Sequence, residues 1–163
     1  MNMAKKLIEQ LGLEAHIEGG YYKRTYQSDM TITLNNQQSR FINTAIYYLL
    51  EKKDFSCWHR LKSDEIWHYY CGGPATIYEI NHKNDLVQTT LGNPLETGNI
   101  AQHRVPANTW LAVSPNEGTE FILTGITVTP GFDFMDFEMG KRAELIKQCP
   151  EHAEMIEKLT REE

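Results

Sequence analysis

Between Gly19 and Glu138 the chain is a succession of short β-prone runs broken by turn residues, with no helical stretch between any two of them. The runs cover 21–27, 40–50, 56–61, 65–71, 75–80, 86–91, 100–105, 109–113, 120–128 and 132–138. The breaks are built from residues that favour turns: Asn35-Asn36, Gly72-Gly73-Pro74, Asn84-Asp85, Gly92-Asn93-Pro94, Gly98-Asn99, Pro115-Asn116 and Pro130-Gly131. Strands this short and this closely spaced, without helical crossovers, are expected to pair antiparallel in a sandwich or barrel.

Helical spacing is confined to the two ends. Leu7, Ile8 and Leu11 recur at helical intervals within residues 3–12, and Gly12 is a common terminator. Beyond the strands, Leu145 and Ile146 precede Pro150, and Ala153, Ile156 and Leu159 follow it. That pattern predicts two short helices divided by a proline at a first-turn position, capping one end or an outer face of the barrel. With 163 residues the chain is the size of one domain. Residues 1–163 are therefore read as a single unit, with a barrel core over about 19–138 and a helical segment over about 141–161.

Several function classes are set aside by composition. Sixteen basic residues stand against 22 acidic ones, a net charge of −6, and no block of Lys and Arg is dense enough to track a phosphate backbone. Nucleic acid is not an expected partner. No apolar run approaches the roughly 20 residues of a membrane span, and residues 1–10 lack the apolar stretch and cleavage site of a signal peptide. Cys57, Cys71 and Cys149 are odd in number and irregular in spacing, which suits neither a disulfide framework nor a metal knuckle. A cytoplasmic protein with reduced thiols is expected.

Chemistry-bearing side chains concentrate in the segment Ser56-Cys57-Trp58-His59-Arg60-Leu61-Lys62-Ser63-Asp64-Glu65-Ile66-Trp67-His68-Tyr69-Tyr70-Cys71-Gly72. Alternate residues of a strand share a face, so His59 and Leu61 point one way, and Glu65, Trp67 and Tyr69 share a face of the next strand. A hairpin turning at Lys62-Ser63-Asp64 is expected to bring His59 and Glu65 together. Arg60 and Lys62 then point away from His59, and His68 away from Trp67.

These residues resemble the cupins. The first cupin motif has a His, a second His two positions on, a Glu after three or four more residues and a Gly after a further six. His59, Glu65 and Gly72 match it, with Leu61 at the second His position. The second motif is followed loosely by Gly98, Pro106 and Asn108, with Leu111 at its His position. A closer likeness, over nearly the whole chain, is to the uncharacterised branch called cupin type 5. It is carried by Glu18-Gly19-Gly20-Tyr21-Tyr22, 44–50, 59–68, Val105-Pro106-Ala107 with Trp110, and Pro130-Gly131-Phe132-Asp133-Phe134.

The resemblance implies a double-stranded β-helix, the jelly-roll barrel, commonly paired as a homodimer, with a small-molecule pocket inside its mouth. Most metal-binding cupins offer three His and a Glu, and Leu61 and Leu111 cannot ligate. No metal and no cofactor are therefore expected, unless His68 or His103 substitutes through a different strand register. Without a metal, His59 can act as general base with Glu65 holding its tautomer. This is similar to the metal-free sugar-nucleotide epimerases, in which a Tyr returns the proton; Tyr69, Tyr47 and Tyr78 are candidate donors here.

The expected function is thus a metal-free isomerase or epimerase of a sugar or other carbonyl compound, with catalytic residues His59, Glu65 and Tyr69. Trp67, Trp110, Tyr47 and Arg40 are expected to bind the ligand. Two alternatives stay open: a non-catalytic binding or sensing module, and a metal-dependent enzyme. The blander roles are also open, His59 and Glu65 as a buried ion pair, Trp67, Tyr69 and Trp110 as packing, and Arg40 as a surface charge. His16, His82, His103 and His152 stand near turns or helix ends and are expected to be solvent-exposed.

Overall fold

The computed structural model describes residues 2–161. Helix α1 spans Met3–Leu11; the Asn2 side chain accepts from the Ala4 amide at its start, and Gly12, at φ 61°, ends it. Thirteen strands follow: β1 Glu14–Ala15, β2 Tyr21–Gln27, β3 Thr31–Thr33, β4 Ser39–Phe41, β5 Thr44–Glu51, β6 Ser56–Leu61, β7 Asp64–Gly72, β8 Ala75–Ile80, β9 Leu86–Leu91, β10 Gln102–Val105, β11 Trp110–Pro115, β12 Phe121–Thr129 and β13 Phe137–Met139. Helices α2, Arg142–Gln148, and α3, Ala153–Lys158, close the chain, separated by a 3-10 turn at Pro150–His152.

One sheet has the order β1-β2-β5-β12-β7-β10 and the other β13-β6-β11-β8-β9, with β3 and β4 forming a separate hairpin. All strand pairs are antiparallel. Between the sheets lies the core, in which Tyr48, Leu50, Trp67 and Ile126 meet Leu61, Ile77, Leu111 and Val113. The fold is a jelly-roll β-sandwich: the strand pattern predicts an antiparallel sandwich or barrel, and the resemblance implies the jelly roll. Outside it, α2 and α3 bury Leu145, Ile156 and Leu159 with Trp58, Ile80, Trp110 and Ala112 of the five-stranded sheet. On the opposite face, α1 seats Ala4, Leu7, Ile8 and Leu11 against Leu49 and Leu123.

Local differences from the strand reading have local causes. The run 40–50 is two strands, because Ile42 bonds to the Met30 carbonyl and the Asn43 side chain turns to Val128 and Thr129. The run 132–138 is strand only from Phe137; Asp133 accepts from the Met135 amide and caps a 3-10 turn over Phe134–Asp136.

A larger difference concerns His59 and Glu65. Strands β6 and β7 do not pair as a hairpin: β6 lies between β13 and β11, whereas β7 lies between β12 and β10. The chain crosses from one sheet to the other at Lys62-Ser63. His59 and Glu65 therefore approach each other across the barrel interior. A connection of two residues is compatible with either arrangement, so the choice rests on which neighbours each strand finds.

Candidate functional site

A cavity of about 400 Å3 opens between the sheets, with His16, Glu18, His59 and Glu65 among the residues that line it. Tyr22, Phe132, Phe134 and Phe137 supply aromatic wall, and Lys23 and Arg24 come from the exposed part of β2.

The cluster is assembled around the peptide of Cys57. Its N–H donates to the Glu18 carbonyl at 2.8 Å, and its C=O accepts from the Nδ1–H of His59 at 2.7 Å. The β6–β11 register shifts between Leu111 opposite His59 and Val113 opposite Ser56, which puts an extra β6 residue at this point. Such bulges re-aim a strand beside a site. Because Nδ1 is committed as a donor, the other ring nitrogen, Nε2, faces the acids. It lies 3.3 Å from Glu18 Oε2 and 3.9 Å from Glu65 Oε1. Phe137 stacks on the ring at 5.6 Å, with the planes 27° apart.

Glu18 reaches His59 because the chain around it is pinned. Gly19, at φ 111°, lies so close to the Phe55 carbonyl that a Cβ there would collide with it, and only glycine takes that backbone without strain. The Tyr48 hydroxyl donates to the Gly19 carbonyl at 2.6 Å, and the Gly20 amide donates to Asp54.

The Glu65 carboxyl is pushed up to about 7, mainly by burial; His59 works against this and the charges of Glu18 and Glu79 add to it. Among the described residues its Oε1 has no hydrogen-bond partner. This acid therefore holds or releases its proton near neutrality, which suits proton transfer.

The remaining expected site residues are distributed differently. Trp67 is buried edge-on to Tyr48 in the core. Tyr69 packs at the edge of that core and its hydroxyl donates to the Gly72 carbonyl. Tyr47 is on the outer face with Tyr70; Trp110 and Tyr78 lie under the C-terminal helices, Trp110 beneath the Arg60 guanidinium. None of these five lines the cavity. Arg40 forms a two-point pair with Asp136, at 2.6 and 3.0 Å, both side chains 5% exposed, and borders a neighbouring cavity. Asp136 is held below the usual carboxylate range by that bond.

Three of the four histidines expected in solvent are not there. The His16 side chain is 8% exposed and lines the cavity. His103 is bonded to Glu79 at 2.5 Å, and His152 to the Asn84 carbonyl. His82 is exposed. His16, Glu18 and Tyr22 are among the cavity residues that residue spacing did not single out as site residues, although Glu18 and Tyr22 stand inside the signature segment Glu18-Gly19-Gly20-Tyr21-Tyr22.

A profile of the family described as "Cupin superfamily (DUF985)" matches residues 5–140. The chain belongs to the cupin superfamily. Protein SO0799 from Shewanella oneidensis has a solved structure that superposes with a TM-score of 0.91 at 35% identity, covering 100% of both chains. An uncharacterized protein of Saccharomyces cerevisiae, YML079W, is 27% identical over 165 residues, 91% of this chain and 82% of its own. Oxalate decarboxylase from Bacillus subtilis shares the fold alone, with a TM-score of 0.57 at 13% identity, over 91% of this chain and 37% of that one.

The donor set does not fit the usual cupin metal. Leu61 and Leu111 are packed in the apolar core. The Glu18 amide occupies the Nδ1 lone pair of His16. Among the described residues no group of three or more His, Cys, Asp or Glu is arranged to hold an ion, and a catalytic ion needs about three protein ligands. Among the described residues, no helix is long and apolar enough to cross a membrane.

Proposed function

We propose that the cavity binds a small polar carbonyl compound and that His59 and Glu65 exchange protons with it, as in a metal-free isomerase or epimerase of a sugar or related metabolite. The observation that carries this reading is the buried, unpartnered Oε1 of Glu65, on an acid titrating at about 7, 3.9 Å from the Nε2 of His59. Titratable groups set in contrasting environments are the usual basis of acid–base assignments.

In this reading the Nε2 of His59 takes a proton from the carbon next to the carbonyl. The C–H electron pair becomes the C=C bond of an enolate, and the carbonyl oxygen takes the negative charge. Protonated Glu65 returns a proton to carbon, and the proton on His59 then passes to Glu65 to reset the pair. Glu65 replaces Tyr69 as proton donor, since Tyr69 is outside the cavity wall.

The test is deuterium exchange. Wild-type protein in D2O with a panel of ketoses, aldoses and 2-keto acids should incorporate deuterium next to the carbonyl of one of them, read by proton NMR. His59→Gln should lower that rate by about 10²- to 10⁴-fold with an unchanged circular dichroism spectrum. Full exchange in the variant refutes the reading.

One observation favours a second reading, a binding or sensing module. Glu18 Oε2 is already 3.3 Å from His59 Nε2 and competes with any substrate for that atom. A ligand bound by the wild type, recovered without deuterium, and held more weakly by His59→Gln decides for it. A homodimer is proposed alongside either reading, since Met30, Ile32, Phe41, Phe134 and Met135 are large apolar side chains left exposed. Sedimentation velocity giving a monomer would remove it.

A further inference from the structure

His16 is the second imidazole of the cavity, in the turn between β1 and β2. Its ring stands edge-on to Tyr22 at 4.6 Å, Tyr48 at 6.0 Å and Phe137 at 6.5 Å. The Glu18 backbone N–H donates to its Nδ1 at 3.2 Å. A ring nitrogen that accepts carries no proton, so the neutral ring has its proton on Nε2. Burial pushes the proton affinity of His16 down, helped by His59 and opposed by Glu18. The ring is therefore a neutral donor at neutral pH. Among the described residues its Nε2–H meets no protein acceptor, and the side chain borders the cavity. His16 and His59 also share one neighbour: Nδ1 of the first and Nε2 of the second lie 3.8 and 3.3 Å from the same Glu18 Oε2.

We infer that His16 is the oxygen-binding donor of this site: its Nε2–H receives the carbonyl oxygen of the ligand, or the enolate oxygen formed from it, beside the carbon that faces His59. The inference rests on the proton-exchange reading and specifies its substrate as a compound presenting an unprotonated oxygen. A neutral imidazole suits that task. It brings no positive charge into a buried site, and as a weak acid it stabilises an enolate without surrendering its own proton first. The step keeps its balance: His59 gains the carbon-bound proton, the electron pair moves to the carbonyl oxygen, and the Nε2–H of His16 shares its proton with that oxygen and keeps it. Tyr22, edge-on to the ring, and the amide of Glu18 make His16 a fixed donor.

Nitrogen-15 NMR of the histidine side chains tests this. The wild-type protein at neutral pH should show His16 as the neutral Nε2–H tautomer. Oxalate and glycolohydroxamate, two planar enolate mimics, are the probes. At millimolar concentration at least one should move the His16 Nε2 proton downfield and bind His16→Phe about tenfold more weakly or worse, with His16→Gln as the second variant should the first fail to fold. An imidazolium or an Nδ1–H tautomer at neutral pH overturns the inference, as does the absence of any shift with both probes, or undiminished binding by a folded variant. The underlying reading is read separately. If wild-type protein exchanges no deuterium while the His16 proton still responds to a probe, proton transfer by His59 fails and oxygen binding by His16 stands.

Discussion

Glu18 Oε2 lies 3.3 Å from the Nε2 of His59, closer than Glu65 Oε1 at 3.9 Å. The imidazole thus has two acids on one nitrogen, and its nearer partner comes from outside the β6–β7 segment. The two carboxylates also act on each other, because the charge on Glu18 helps raise Glu65.

Removing that charge is expected to lower Glu65. In Glu18→Gln the Glu65 carboxyl should titrate below its wild-type value of about 7, measured by carbon-13 NMR of labelled glutamate. His16 should remain neutral, since Glu18 is what raises its proton affinity. An unchanged Glu65 titration would refute the coupling between the two carboxylates.

Stability should depend on pH through Glu65. The acid keeps its proton up to about 7 in the folded state, whereas the ordinary value is 4.5. Across that window the folded state binds more protons than the unfolded one, so stability falls as pH rises through it. For a fully buried group the loss is on the order of 3 kcal/mol. Urea melts at about pH 5 and about pH 8 should show this fall in wild-type protein and its attenuation in Glu65→Gln. Equal slopes in the two proteins would contradict it.

Arg40 and Asp136 form a buried two-point pair, and Lys62 is only a distant third partner at 3.8 Å. Arg40→Ala leaves the carboxylate buried without its main partner. A clear loss of stability in urea unfolding is expected, since removing one partner leaves the other charge uncompensated. An unchanged urea midpoint would show that the pair behaves as an exposed one. Deuterium exchange at the cavity should survive, because Arg40 is outside its wall.

Leu61 and Leu111 are where the family pattern has histidines, and Leu111 sits directly opposite His59 in the β6–β11 register. Changing both to His should add two imidazoles to His59 and Glu65 and create a stoichiometric site for a divalent ion, measured by elemental analysis after dialysis against zinc. The wild type should retain none. One ion per chain in dialysed wild-type protein would show that the native side chains do hold a metal.

The amino-acid order by itself determined the antiparallel β core, the helices at both ends, the stop at Gly12 and the inward direction of His59 and Glu65. These depend on local rules: alternation along a strand, glycine at a left-handed position, turn residues between runs. What only the tertiary structure decided is which side chains share the cavity. Residue spacing could not show that β6 and β7 belong to opposite sheets, because the two-residue link fits a hairpin equally well. Nor could it place Tyr47 and Trp110 on outer faces, since that depends on which side of each strand the helices cover. Tyr69 keeps regular register opposite Thr124 and packs against the same core as Trp67, but it lies further along β7 than Glu65 and falls outside the cavity wall. Glu18 and His16 reach His59 through a glycine turn bonded to Cys57 and Tyr48. Contacts between residues so far apart in the chain form only when the whole barrel closes, and for that reason the second imidazole and the nearer acid are properties of the fold.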